Sequence, residues 1–243
     1  MRSTLVFFLM LVFGECYAEG IKAAVASNFI NAFEKISERF YEETQTRVQA
    51  SYASSGKLST QIQHGAPFDV FLSADRVFAR QIEKSDYGVM STRKTYATGQ
   101  LVLWSAKPEL IDSSVAVLKS GEFRKLALAN PKLAPYGVAA NQVMHDLDLW
   151  TRFEDSLVYG ENIGQAFNFV KTENAELGFV AKSQIIHEQG SYWYVPQSLY
   201  SPLDQQVVIL KRAEGDKSVK KFYDFLFSTE VKQLIRQYGY AVP

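Results

Sequence analysis

Residues 51–59 read "SYASSGKLS", which sets two serines, a glycine and a lysine between an alternating run and a helical one. Ser54 and Lys57 have the S-x-x-K spacing in which a lysine amine activates a serine hydroxyl for acyl transfer. At a strand-to-helix turn the same hydroxyls could equally cap the helix or donate to an anion. The companion motifs S-D-N and K-T-G are missing from the chain, and no serine lies in G-x-S-x-G. Metal chemistry finds as little support. His64, His145 and His187 stand far apart, and "HEQG" at 187–190 does not complete H-E-x-x-H. Neither a P-loop nor G-x-G-x-x-G is present, so nucleotide binding has no motif behind it.

The elements that would position these residues alternate in type. Short apolar strands are expected at 21–27, 47–54, 69–74, 100–106, 125–130 and 157–160, each followed by a helical pattern. A further strand is expected over "ELGFVAKSQI", then "YWYVP" and 205–211, with one long helix over "SVKKFYDFLFSTEVKQLIRQYG". Gly65 is a suitable left-handed helix end, Asp75 a helix N-cap and Pro135 a helix opener. Strand–helix alternation predicts an α/β fold with parallel sheets and helices on both faces. Three units on either side of residue 100 divide into two doubly wound lobes better than into one oversized sheet.

In such sheets ligands bind at the carboxyl ends of the strands, where helices begin. Here those turns are "AVASNF", "YASSGK", "LSADR", "ANPKLAPYG", "GENIGQ" and "FVAKSQ", mostly poor in charge and rich in Ser, Asn, Gly, Ala and Pro. Helix N-termini attract anions through unpaired N–H groups and the macrodipole, without a cationic side chain. Any one such turn reads more simply as a cap, and only convergence of several makes a site.

The ends and the bulk composition narrow the class. "MRSTLVFFLMLVFGECYA" has Arg2, an apolar run to Phe13 and small or neutral residues to Ala18, the layout of a cleavable secretory signal. Cleavage is expected after Ala18. Glu15 precedes Cys16 where a lipoprotein would carry a small residue, so Cys16 is expected to be discarded, leaving a mature chain without cysteine. That suits a periplasmic protein held together by its core. The 243 residues carry 26 basic and 26 acidic side chains, and a balanced charge argues against a dedicated nucleic-acid partner.

Taken in order, "AVASNF", "YASSGKLSTQI", "GAPFDVFLSAD", "ANPKLAPYG" and "LGFVAKSQ" resemble the periplasmic molybdate-binding proteins of ABC importers over essentially the whole mature chain. The resemblance implies a type II periplasmic binding protein that is not an enzyme. It would be a monomer without a cofactor, delivering molybdate or tungstate to an inner-membrane permease. It implies lobes at 19–100 (with 204–243 returning) and 101–203 behind a signal peptide at 1–18, hinged near 98–103 and 201–206. By the same resemblance the oxyanion is held by neutral donors: Ser27 with its neighbour Asn28, Ser55, and the backbone N–H of Tyr136 and Ile163. Molybdenum would be bound only as the oxyanion. One position departs from the family. Ala181 stands where some members place a tyrosine hydroxyl, so the coordination is either completed by Asn28 or one bond poorer, and Lys182 beside it is not assigned to the ligand. Another oxyanion, sulfate above all, is the alternative cargo. An exported acyl-transfer enzyme using Ser54 and Lys57 is the alternative class.

Overall fold

Phe29, Phe33, Ile36 and Phe40 recur at helical spacing and are all buried, so they form one apolar stripe that must be covered. The computed structural model, which describes residues 20–112 and 114–243, covers it with a twisted sheet on one side and Phe222 on the other. The expected signal peptide and Cys16 lie outside the described residues.

The chain begins with β1 (Ile21–Ala26), a single 3-10 turn (Ser27–Phe29) and α1 (Ile30–Thr44). It continues through β2 (Val48–Ala53), α2 (Ser55–Gln63), β3 (Val70–Ser73), α3 (Arg76–Glu83) and β4 (Lys94–Gly99). A second series follows: β5 (Leu101–Ser105), α4 (Ala116–Ser120), β6 (Leu126–Ala129), α5 (Pro135–Asp146), α6 (Trp150–Phe153), β7 (Leu157–Gly160) and α7 (Ile163–Lys171). It is completed by β8 (Leu177–Ala181), α8 (Lys182–Ile185) and β9 (Ser191–Tyr194). The chain closes with β10 (Leu203–Ile209), α9 (Lys217–Phe225) and α10 (Thr229–Gln237).

Two five-stranded sheets result, ordered β2-β1-β3-β10-β4 and β7-β6-β8-β5-β9. We call them with their helices lobe I and lobe II. Both faces of each sheet are covered. In lobe I the odd strand residues Ala23 and Val25 meet α1, α9 and α10, while Ala24 and Phe71 meet Leu58 of α2 and Ile82 of α3. In lobe II the stripe Ala139, Ala140, Val143 and Met144 of α5 packs with Leu101 and Leu103, and Trp104 stacks on Phe167 of α7 at 5.2 Å. Each fully buried Phe or Leu removed from water is worth about 1.5–3 kcal/mol, so these faces hold the lobes together.

The sheets are mixed rather than parallel throughout, which corrects the expectation from alternation alone. β1 runs parallel to β2 and β3, and β6 to β7 and β8, but β10 is antiparallel to β3 and β4, and β5 to β8 and β9. The antiparallel strands are the ones at the lobe crossings. β4 was not among the expected strands: the expected strand starts at Gln100, and β4 ends just before it at Gly99. The strand expected through "LGFVAKSQI" stops at Ala181, where the chain turns into α8. The expected long final helix is two, because Ser228 accepts from the Val231 N–H at 3.2 Å and starts α10 afresh.

The chain leaves lobe I after Gly99 and re-enters it at Leu203, which pairs with Gly99. A third segment joins them: Thr98 and Ala241 exchange backbone hydrogen bonds at 2.8 and 3.0 Å. No helix of the described residues is long and apolar enough to cross a membrane.

Candidate functional site

Five strand-to-helix turns, three from lobe I and two from lobe II, meet at one small cavity. Its lining includes Ser27 and Asn28 after β1, Ser54 and Ser55 after β2, and Ala74 after β3. From lobe II come Pro135 and Tyr136 at the start of α5 and Ile163 at the start of α7. The fold therefore brings together all five residues that the resemblance singled out.

On the lobe I side the side-chain donors are hydroxyls. Ser55 Oγ accepts the Ala74 N–H at 2.9 Å, which fixes the oxygen and leaves its own hydrogen to donate. Ser54 occupies the N-cap position of α2 but makes no capping bond, and its buried Oγ has no partner among the described residues. A buried hydroxyl left unpaired costs about 1–3 kcal/mol, so Ser54 is a donor that the protein itself does not satisfy. Sequence reasoning passed over it in favour of Ser55. The doubled serine at the N-cap and first helical position is the signal that marks both.

On the lobe II side the donors are backbone. Tyr136 is the second residue of α5 and Ile163 the first of α7, so neither N–H has an acceptor within its helix. Pro135 presets the first turn of α5, and Asn162 caps α7 by accepting from the Gln165 N–H at 3.1 Å. The Tyr136 ring is buried and its Oη has no partner among the described residues. Burial pushes its pKa well above the ordinary tyrosine range, so the phenol stays neutral.

Asn28 lines the cavity with its side chain committed elsewhere. Its Nδ2 donates to Gln205 Oε1 at 2.8 Å and to Tyr240 Oη at 3.0 Å. Only its backbone N–H remains for the cavity, so the side-chain amide does not replace a hydroxyl missing at 181. Ala181 itself is fully buried, and its N–H donates to Gln184 Oε1 at 2.9 Å.

Among the described residues no charged side chain lines the cavity. Lys57 is half-exposed and paired with Glu161 across the cleft at 3.0 Å. With its amine there and Ser54 Oγ unpartnered, the serine–lysine couple needed for acyl transfer is not formed. Lys182 lies over the Tyr194 ring, 5.1 Å from its centre and outside the lining. The histidines are spent on other contacts: His64 meets the Thr60 carbonyl, His145 stacks on Trp150 and His187 meets Tyr238 edge-on. Among the described residues no three His, Cys, Asp or Glu side chains gather as a metal site.

Two α/β lobes closed over a cavity of neutral hydrogen-bond donors define a two-lobed solute-binding protein. Residues 21–241 match the bacterial extracellular solute-binding protein family, and the chain belongs to it. It is 46% identical to the molybdate-binding protein ModA of Rhodobacter capsulatus over 90% of this chain and 87% of that one. To the protein of the same name from Azotobacter vinelandii it is 43% identical, over 93% and 91%. The solved structure of the Azotobacter vinelandii periplasmic molybdate-binding protein superposes with a TM-score of 0.89 at 35% identity, covering 92% of this chain and 99% of that one. These relatives are named as binding proteins, and this chain is likewise no enzyme.

Proposed function

We propose that this protein captures molybdate, and tungstate as a second cargo, in the inter-lobe cavity and delivers it in the periplasm to the permease of an ABC importer. The observation that carries the reading is the meeting of helix N-termini from both lobes at one cavity that no charged side chain lines among the described residues. The naming of its relatives at 46% and 43% identity as molybdate-binding proteins supports the choice of anion.

In this reading Ser27, Ser54 and Ser55 donate hydroxyl hydrogens, and Tyr136 and Ile163 donate backbone N–H. Asn28 adds its backbone N–H alone. A set of donors without an acceptor carboxylate suits a fully deprotonated tetrahedral dianion and rejects one that keeps a proton, such as hydrogen phosphate. Sulfate keeps no proton at neutral pH and is refused on size, a test that tungstate passes. Each hydrogen bond to the charged group contributes about 1.5–3 kcal/mol, partly offset by the ordering that closure requires.

Calorimetric titration of the purified protein with molybdate, tungstate, sulfate and phosphate tests the proposal. Heat with the first two and none with the last two is expected. Binding of sulfate alone would transfer the protein to the alternative cargo, and silence with all four would end the oxyanion reading.

A further inference from the structure

Away from the cavity, a second set of polar groups joins the lobes. Ser183 lies in α8 of lobe II, and its Oγ donates to the Asn28 carbonyl of lobe I at 2.9 Å. Tyr240, on the C-terminal segment that pairs with β4, donates to the same carbonyl at 2.6 Å. The two hydroxyls are 3.0 Å apart, and Tyr240 also accepts from the Asn28 amide. All three residues are buried. Burial pushes the Tyr240 hydroxyl well above the ordinary tyrosine range, so it stays a donor at any physiological pH. Ser183 and Tyr240 do not line the cavity, whereas Asn28 does. The contact joins elements of different lobes, so an open form has to break the bonds made by Ser183.

We propose that Ser183 and Tyr240 form a closure latch on Asn28: positioning residues that hold the lobes shut without touching the anion and so set how slowly it leaves. Asn28 is where latch and cavity meet. The same residue offers its N–H to the cavity and its carbonyl to the latch, so seating the first turn of lobe I and locking lobe II are one event. The Tyr240 contact keeps that turn fixed from within lobe I, so that Ser183 meets a preformed acceptor on closing. The inference rests on the oxyanion-receptor reading for its ligand, but the bonds themselves are independent of what is bound.

Release is measured by stopped flow for wild type, Ser183→Ala, Ser183→Thr and Tyr240→Phe. Loss of one or two buried hydrogen bonds at about 1 kcal/mol each predicts roughly five- to thirtyfold faster molybdate release in Ser183→Ala, with the association rate unchanged. The ratio of molybdate to sulfate affinity stays at the wild-type value, because the latch reads closure and not the anion. Ser183→Thr, which keeps the hydroxyl, restores most of the slow release. Tyr240→Phe keeps the ring against Phe29, 5.3 Å away, and speeds release less than Ser183→Ala.

A second readout needs no anion. The Gly56 N–H donates across the cleft to the Leu133 carbonyl at 2.9 Å, so its hydrogen exchange reports closure directly. Ser183→Ala is expected to speed exchange there while the sheet amides of both lobes keep their protection. Wild-type release and Gly56 exchange in both Ser183→Ala and Tyr240→Phe overturn the latch. If wild type binds none of the four anions, it is the receptor reading that fails, and Gly56 exchange then judges the latch alone.

Discussion

The two lobes build their halves of the cavity from different chemistry. Lobe I presents side-chain hydroxyls at Ser27, Ser54 and Ser55 beside the Asn28 N–H, and lobe II presents only the bare starts of α5 and α7 at Tyr136 and Ile163. A hydroxyl is removed by one conservative substitution. A backbone N–H survives every substitution but proline. The lobe I half is therefore open to tuning through the sequence, and the lobe II half is fixed by helix placement.

Substitutions at matched positions can break that contrast. In lobe I, Ser55→Ala removes a donor to a charged group and is expected to weaken molybdate binding by about 10- to 150-fold in calorimetry. It also strips the Ala74 N–H of its acceptor, so thermal unfolding should show a loss of about 1–3 kcal/mol. In lobe II the same kind of truncation should do little: Ile163→Val keeps the N–H and should bind within about twofold of wild type, as volume-conserving swaps cost little. Ile163→Pro deletes the N–H at the first helical position, where proline is tolerated. It should therefore lose about as much affinity as Ser55→Ala, and equal affinities for the Val and Pro variants would dissolve the contrast.

Smaller effects sharpen it. The exposed Lys57–Glu161 pair spans the cleft, so Lys57→Ala should cost at most about fivefold in affinity and less as salt is added. The smallest shift is expected at Tyr136, whose contribution to the cavity is backbone. Tyr136→Phe should leave anion affinity unchanged and leave unfolding stability unchanged or slightly raised, because it deletes a buried hydroxyl that the protein leaves unpaired.

What could be read from the sequence follows the same division between local and distant. Helix starts announce themselves locally: the serine doublet at 54–55, Asp75 accepting from the Phe78 N–H, and Pro135 each mark a turn within a few residues. That is why the turns lining the cavity could be picked out and the two-lobed α/β class deduced from their order. Long-range pairing leaves no such mark. Lys57 meets Glu161 across 104 residues, and Ser183 meets Asn28 across 155. Neither lysine nor serine carries a signal of its partner. The direction of the Asn28 side chain was hidden for the same reason, since Gln205 and Tyr240 claim it from the far end of the chain. β4 escaped notice because "KTYATG" offers only Tyr96 and Ala97 as fully buried apolar residues before β5 begins.

At the first crossing between the lobes, a β-carbon added to Gly99 would stand 2.1 Å from Tyr136 Oη and 3.1 Å from its Cζ. The absent methyl works as a gauge block: the lobes can shut only as far as that gap allows. Gly99→Ala is thus a wedge in the jaw, expected to hold the protein ajar and enlarge its radius in small-angle scattering under saturating molybdate. Tyr136→Phe takes away the oxygen, the nearest atom the wedge strikes, and should let the jaw close further but not fully, since the ring carbon 3.1 Å away remains. One glycine at the crossing and one otherwise idle phenol form a matched mechanical stop.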